Sequence, residues 1–75
     1  MEKGFLMQGD PVIRFGKRVR ELRDSQAITQ DELAHRAGMD RSYVGQIERG
    51  EKNITIKGIY KLASALGVRA FQLLD

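Results

Sequence analysis

Thr29 to Gly50 reads TQDELAHRAGMDRSYVGQIERG, and the spacing within it decides the fold. Thr29 and Glu32 have the S/T-x-x-E spacing of a capping box, in which the hydroxyl accepts from the third helical amide and the carboxylate reaches back to the cap; a helix is predicted to start there. Leu33, Ala34 and Ala37 then share one face at helical spacing. Gly38 follows where a left-handed residue closes a helix without Cβ strain, so the helix should stop at about Ala37. Asp40 suits the N-cap of a second helix, with Val44 and Ile47 turned inward and Gly50 ending it. Two short helices joined by a turn of about three residues make a helix-turn-helix.

On a helix from Asp40 to Arg49, the residues Arg41, Ser42, Gly45, Gln46 and Arg49 fall within an arc of roughly 140°, and Val44 and Ile47 point the other way. Such a rod can be held from behind and laid in a major groove. Arg41 and Ser42 stand near its N-terminal end, where a recognition helix meets base edges. The Arg41 fork matches guanine O6 and N7, Gln46 pairs bidentately with adenine N6 and N7, and Ser42 donates or accepts. Tyr43 lies on the flank, either touching a base or phosphate or roofing the core. Gly45 either admits a thymine methyl or sugar to bare backbone or is a tolerated weak helix position. Phosphate contacts are expected from Gln30 at the start of the first of the two helices. Arg49, Lys52 and Asn53 just past the second, and Lys57 beyond them, are expected to add further contacts. Solvated surface charge is the competing reading for Arg49 and Lys52.

Gln30, Glu32-Leu33-Ala34, Ala37-Gly38-Met39, Val44, Ile47-Glu48 and Gly50 together form a long spaced pattern. It resembles the lambda-repressor-like (Cro/repressor, XRE) helix-turn-helix family of DNA-binding regulators, over roughly residues 15–74. Within that family, Asp40 to Val44, Glu48-Arg49-Gly50 and Lys52 to Ile56 are most similar to the small controller proteins of restriction-modification systems. The resemblance implies an all-α, compact five-helix domain whose helices 2 and 3 form the helix-turn-helix. It also implies a partly buried ion pair between Arg23, one turn after Val19, and Glu48, one turn after Val44. Controller likeness implies an operator upstream of the protein's own gene, with activation at low occupancy and repression at high. Ala27 departs from the family, which often places glycine in that turn; alanine at positive φ costs about 1 kcal/mol, so the first helix is expected to close differently.

Outward from this core, Asp10 and Pro11 open the first helix, with Pro11 at a position where its missing amide does no harm. Val12, Phe15, Val19 and Leu22 form its buried stripe, and Arg14, Lys17, Arg18 and Arg20 are read for the most part as a solvated face. Beyond the loop Glu51-Lys52-Asn53, Thr55 caps a fourth helix on which Ile59, Leu62, Ala63 and Leu66 repeat before Gly67 ends it. Val68, Phe71 and Leu74 suggest a short fifth helix. Residues 1–9 are read as a flexible arm with Met7 as a possible internal start, and residues 10–75 as the single domain.

The chain has 75 residues, no cysteine, one histidine and 13 Lys+Arg against 10 Asp+Glu, a net charge of +3. Without cysteine there is no disulfide, thiolate chemistry or Cys-based zinc site, and a reducing cytoplasm suits it. His35 alone makes no metal site. No metal, cofactor or small-molecule effector is expected, and no apolar run reaches the roughly 18 residues of a membrane span. The modest positive charge allows an anionic partner without naming it. Asp31, Glu32, His35 and Glu48 form no acid/base or nucleophile set, so an enzyme is not expected. One such domain covers few base pairs, which argues for a homodimer on a near-palindromic operator with half-sites about 34 Å apart. The exposed part of Ile59, Val68, Phe71, Leu73 and Leu74 is expected to make the two-fold contact, Leu73 above all because it falls off the Phe71–Leu74 stripe. The alternative from another class is a protein-interaction adaptor, antitoxin-like or phage-encoded, using the same 41–49 face.

Overall fold

Most helix ends fall where side chains or turns satisfy the unpaired end groups. In the computed structural model, which describes residues 9–74, α1 (Pro11–Ser25) opens with the Val12 amide donating to Asp10 Oδ1 at 2.8 Å and Pro11 in its first turn. The helix α2 (Gln30–Ala37) opens with the Glu32 amide donating to the Thr29 hydroxyl at 3.0 Å. Only that half of the expected capping box forms, because the Glu32 carboxylate instead pairs with Arg36 one turn on, at 3.4 Å. The helix α3 (Arg41–Glu48) follows Asp40, whose backbone is extended as an N-cap should be but whose carboxylate makes no capping bond. The helix α4 (Ile56–Leu66) is capped by the Thr55 hydroxyl, 3.0 Å from the Gly58 amide, and α5 (Ala70–Leu74) completes the fold. Of the expected arm, residues 1–8 lie outside the described residues.

The C-terminal ends share one device. Residues Gly38, Gly50 and Gly67 take φ of 69°, 75° and 70°, and the amide after each returns to the carbonyl five residues back: Met39 to Ala34, Glu51 to Gln46 and Val68 to Ala63, all at 2.9 Å. This is the Schellman closure. The end of α1 uses it too, with Ile28 N donating to Arg23 O at 3.3 Å and Ala27 N to Asp24 O at 3.0 Å. Ala27 sits at φ 58°, so the first helix does not close differently. Alanine adopts the left-handed conformation and carries the strain.

The core is Phe15 and Val19 of α1, Ile28, then Leu33, Ala34 and Ala37 of α2, Val44 and Ile47 of α3, Leu62, Ala63 and Leu66 of α4, and Leu73 of α5. The helix α1 lies against α3, α4 and α5, while α2 lies against α3 and α4. Val12 and Leu22 are only half-buried, and the most buried line on α1 is Phe15, Gly16, Val19 and Arg23. The helix is rolled toward α3 because Gly16 lets it come close. A Cβ there would collide with the Ile47 carbonyl oxygen and lie 2.9 Å from that of Glu48.

Two side chains also tie helix ends together. Gln26 Nε2 donates to Leu66 O at 2.7 Å, and Arg18 Nε donates to Gln72 O at 2.9 Å, so Arg18 leaves the solvated set to hold α5. On α5 the inward line is Ala70 and Leu73, one residue out of phase with the predicted Phe71–Leu74 stripe. Leu73, assigned on sequence to a two-fold contact, is 1% exposed and belongs to the core, whereas Phe71 and Leu74 are 64% and 55% exposed.

Candidate nucleic-acid interface

The recognition candidate α3 is anchored by Val44 and Ile47, 0% and 1% exposed. On its outer side Arg41, Ser42 and Arg49 are exposed, and Tyr43 and Gln46 are half-buried. Tyr43 packs on the edge of the core, as the roofing reading has it, and also lines the depression beside Ser42 and Gln46. Gly45 does not belong to the open face. A Cβ there would meet Arg49 Nη1 at 3.1 Å and Gln30 Oε1 at 3.7 Å, so those two side chains lie over its backbone in the free protein. The open face is therefore narrower than the helical wheel implies, with Arg41, Ser42 and Gln46 at its centre.

A buried polar network fixes this helix from its C-terminal end. Arg23 Nε donates to Glu48 Oε2 at 2.7 Å, and its Nη2 to Oε1 at 3.0 Å, the bidentate fork that suits guanidinium and carboxylate. Arg23 Nη1 donates to Ile28 O at 3.0 Å, and Gln30 Nε2 to Glu48 Oε1 at 3.0 Å. Among the described residues no buried side-chain nitrogen or oxygen lacks a partner. The hydrogen bond to Glu48 raises the Arg23 pKa above its ordinary value. Burial pushes the Glu48 carboxyl up, but the hydrogen bonds from Arg23 and Gln30, with the charges of Arg23 and Arg20, outweigh it and hold the carboxyl below its ordinary value.

Gln30, expected at a phosphate from its place at the start of α2, has its side-chain amide bonded to Glu48, and Asp31 and Glu32 place negative charge in the same first turn. A cationic surface lies on the other side of α3. Lys52, Asn53 and Lys57 are exposed, and an open depression between α3 and α4 is lined by Ser42, Tyr43, Gln46, Lys52, Lys57 and Lys61 among others. Lys61 was missed on sequence; its signal was the four-residue step from Lys57, which puts both lysines on one side of α4. Arg49 holds Glu51 through two bonds, Nε to Oε2 at 2.9 Å and Nη2 to Oε1 at 3.2 Å. That pairing raises the Arg49 pKa and lowers that of Glu51.

The exposed apolar surface differs from the predicted set as well. Ile59 and Val68 are half-buried, while Ile56 and Tyr60 of α4, 73% and 63% exposed, join Phe71 and Leu74. The four-residue step from Ile56 to Tyr60 was the available signal. Arg69 lies over the Phe71 ring at 5.8 Å. Among the described residues no group of three or more His, Asp or Glu stands ready for a metal ion, and no helix is long and apolar enough to cross a membrane.

The helix-turn-helix family model matches residues 19–73. The control protein C.BamHI of Bacillus amyloliquefaciens is 40% identical over 62 residues, 81% of this chain and 76% of that protein. The crystal structure of the restriction-modification controller protein C.AhdI from Aeromonas hydrophila superposes with a TM-score of 0.81 at 45% identity, covering 83% of this chain and 94% of that one. A hypothetical transcription factor from Neisseria superposes with a TM-score of 0.85 at 41% identity, covering 88% of this chain and 76% of that one. The match spans α2, α3 and α4 whole, the last seven residues of α1 and all but the last residue of α5, and it includes both partners of the Arg23–Glu48 pair. The chain belongs to the helix-turn-helix family of lambda-repressor-like DNA-binding transcriptional regulators.

Proposed function

We propose that this regulator is the controller of a restriction-modification system, binding a near-palindromic operator as a homodimer. The observation that carries the reading is the division of α3: Val44 and Ile47 are locked in the core while Arg41 and Ser42 stand free on the opposite side, with Gln46 beside them. Arg41 is assigned to a guanine edge, Gln46 to an adenine edge, Ser42 to either, and Tyr43 to the rim of the groove. Arg49, Lys52, Asn53 and Lys57, joined by Lys61, are assigned to phosphates, where they set register and salt dependence rather than sequence. The exposed Ile56, Tyr60, Phe71 and Leu74 supply the apolar surface for a two-fold contact. The printed roles of C.BamHI and C.AhdI support the controller assignment, and a DNA-bound regulator of this kind works in the cytoplasm. Selection of bound sequences from a random duplex pool tests the reading. An inverted repeat with half-site centres about one helical turn, roughly 34 Å, apart is expected. A pool that stays random after repeated rounds would overturn it.

A further inference from the structure

Arg49 and Glu51 are two residues apart at the end of α3, and Gly50 between them has positive φ, which brings both side chains to the same side of the turn. Their fork is bidentate, at 2.9 and 3.2 Å, although both side chains are more than half exposed. The Arg49 guanidinium is drawn back over α3, with Nη1 3.1 Å from where a Gly45 Cβ would stand. Gly45 thus provides a seat for it, and the Gln30 amide borders that seat at 3.7 Å. A guanidinium bound in this way has its Nε–Nη2 edge occupied by a carboxylate and its Nη1 turned onto Gly45, so the edge that would fork a phosphate is taken until Glu51 leaves.

We propose that Glu51 is an internal competitor for DNA phosphate: it holds Arg49 against α3 in the free protein and must be displaced before Arg49 reaches a DNA strand. The inference rests on the DNA-binding reading above and adds a brake to it. An exposed ion pair is weak, so the brake is light and is released by binding rather than preventing it. Because a phosphate contact carries no sequence information, the brake lowers the affinity for operator and random duplex alike. It therefore shortens the time the protein spends on DNA without altering which sequence it prefers.

The test is a double-mutant cycle in the full chain with Glu51→Gln, Arg49→Gln and both together, read by fluorescence anisotropy on a selected operator and on a random duplex over a salt series. Glu51→Gln is expected to tighten binding to both duplexes about threefold at low salt, the scale of an exposed ion pair. It should also steepen the slope of log K against log salt by up to about 0.9. In the Arg49→Gln background the same substitution is expected to change neither. An equal gain with and without Arg49 would mean that Glu51 acts only as a distant negative charge, and it would overturn the proposal, as would no gain at all. Wild-type protein that binds random duplex as well as any selected sequence, with the cycle still coupled, would remove the operator reading while leaving the Glu51 brake in place.

Discussion

At the scale of single residues, the Arg23–Glu48 pair is the most consequential feature, because its side chains are only 11% and 2% exposed. Breaking a buried pair leaves an uncompensated charge and costs about 3–5 kcal/mol, a large share of the roughly 5–15 kcal/mol that holds a domain together. The pair also has a sign in pH. Glu48 is held below its ordinary value by the hydrogen bonds and charges that face it. Its contribution is therefore complete above that value and is lost as pH falls through the lower folded one. Thermal melts from pH 7 down to 3 should show wild type losing stability in acid, and Glu48→Gln, weaker at pH 7, losing less; parallel curves would contradict this. Glu51 shifts the same way but is exposed and adds little. Ala27 gives a prediction of opposite sign. At φ 58° it carries a left-handed strain of about 1–2 kcal/mol, part of which glycine returns as unfolded-chain entropy. Ala27→Gly should raise stability by up to about 1 kcal/mol in urea, and a lowered midpoint would show that the turn does not need positive φ. The caps Asp10, Thr29 and Thr55 were legible because each has a local signal, and the Arg23–Glu48 pair was legible through the family resemblance. Gly45 was not, since its covering by Arg49 and Gln30 depends on how α2 crosses α3.

At the scale of elements, the helix-turn-helix was legible because caps, glycines and apolar spacing agree over residues 29–50, and such agreement across levels is what specifies a structure. The phase of α5 was not. Ala70 with Leu73 and Phe71 with Leu74 are both three-residue steps in a five-residue helix, and only the Arg18 bond to Gln72 O and the packing on α1 and α4 choose between them. The closeness of α1 and α3 was illegible for a related reason: nothing local marks Gly16 as a contact point. Replacing it with alanine sets two effects against each other. Helix propensity favours alanine by about 1 kcal/mol, while a Cβ against the Ile47 and Glu48 carbonyls is overpacking, at about 1–3 kcal/mol or more, against backbone that cannot step aside. Overpacking should win. Gly16→Ala is expected to lower the urea midpoint and loosen the Arg23–Glu48 pair; a midpoint at or above wild type would show that α1 can retreat from α3 at no cost.

For the molecule as a whole, the five helices of the described residues present two kinds of surface. One is the polar face of Ser42 and Gln46 continued by Lys52, Lys57 and Lys61, with Arg41 exposed at the start of α3; the other holds the exposed apolar side chains Ile56 and Tyr60 of α4 and Phe71 and Leu74 of α5. On α4, Lys57 and Lys61 follow Ile56 and Tyr60 at the same four-residue step, one residue on, and all four are exposed. The central claim is that the outer face of α3 distinguishes bases. Its most direct test is an anisotropy titration of wild type, Arg41→Ala and Gln46→Ala on the selected operator and on random duplex at fixed salt. Each substitution should weaken operator binding by about 1–3 kcal/mol, roughly 5- to 150-fold, the worth of one bidentate base contact. Arg41→Ala also removes a charge, so it should weaken random-duplex binding slightly, and Gln46→Ala should leave it unchanged. Operator preference that survives both substitutions intact would contradict the account.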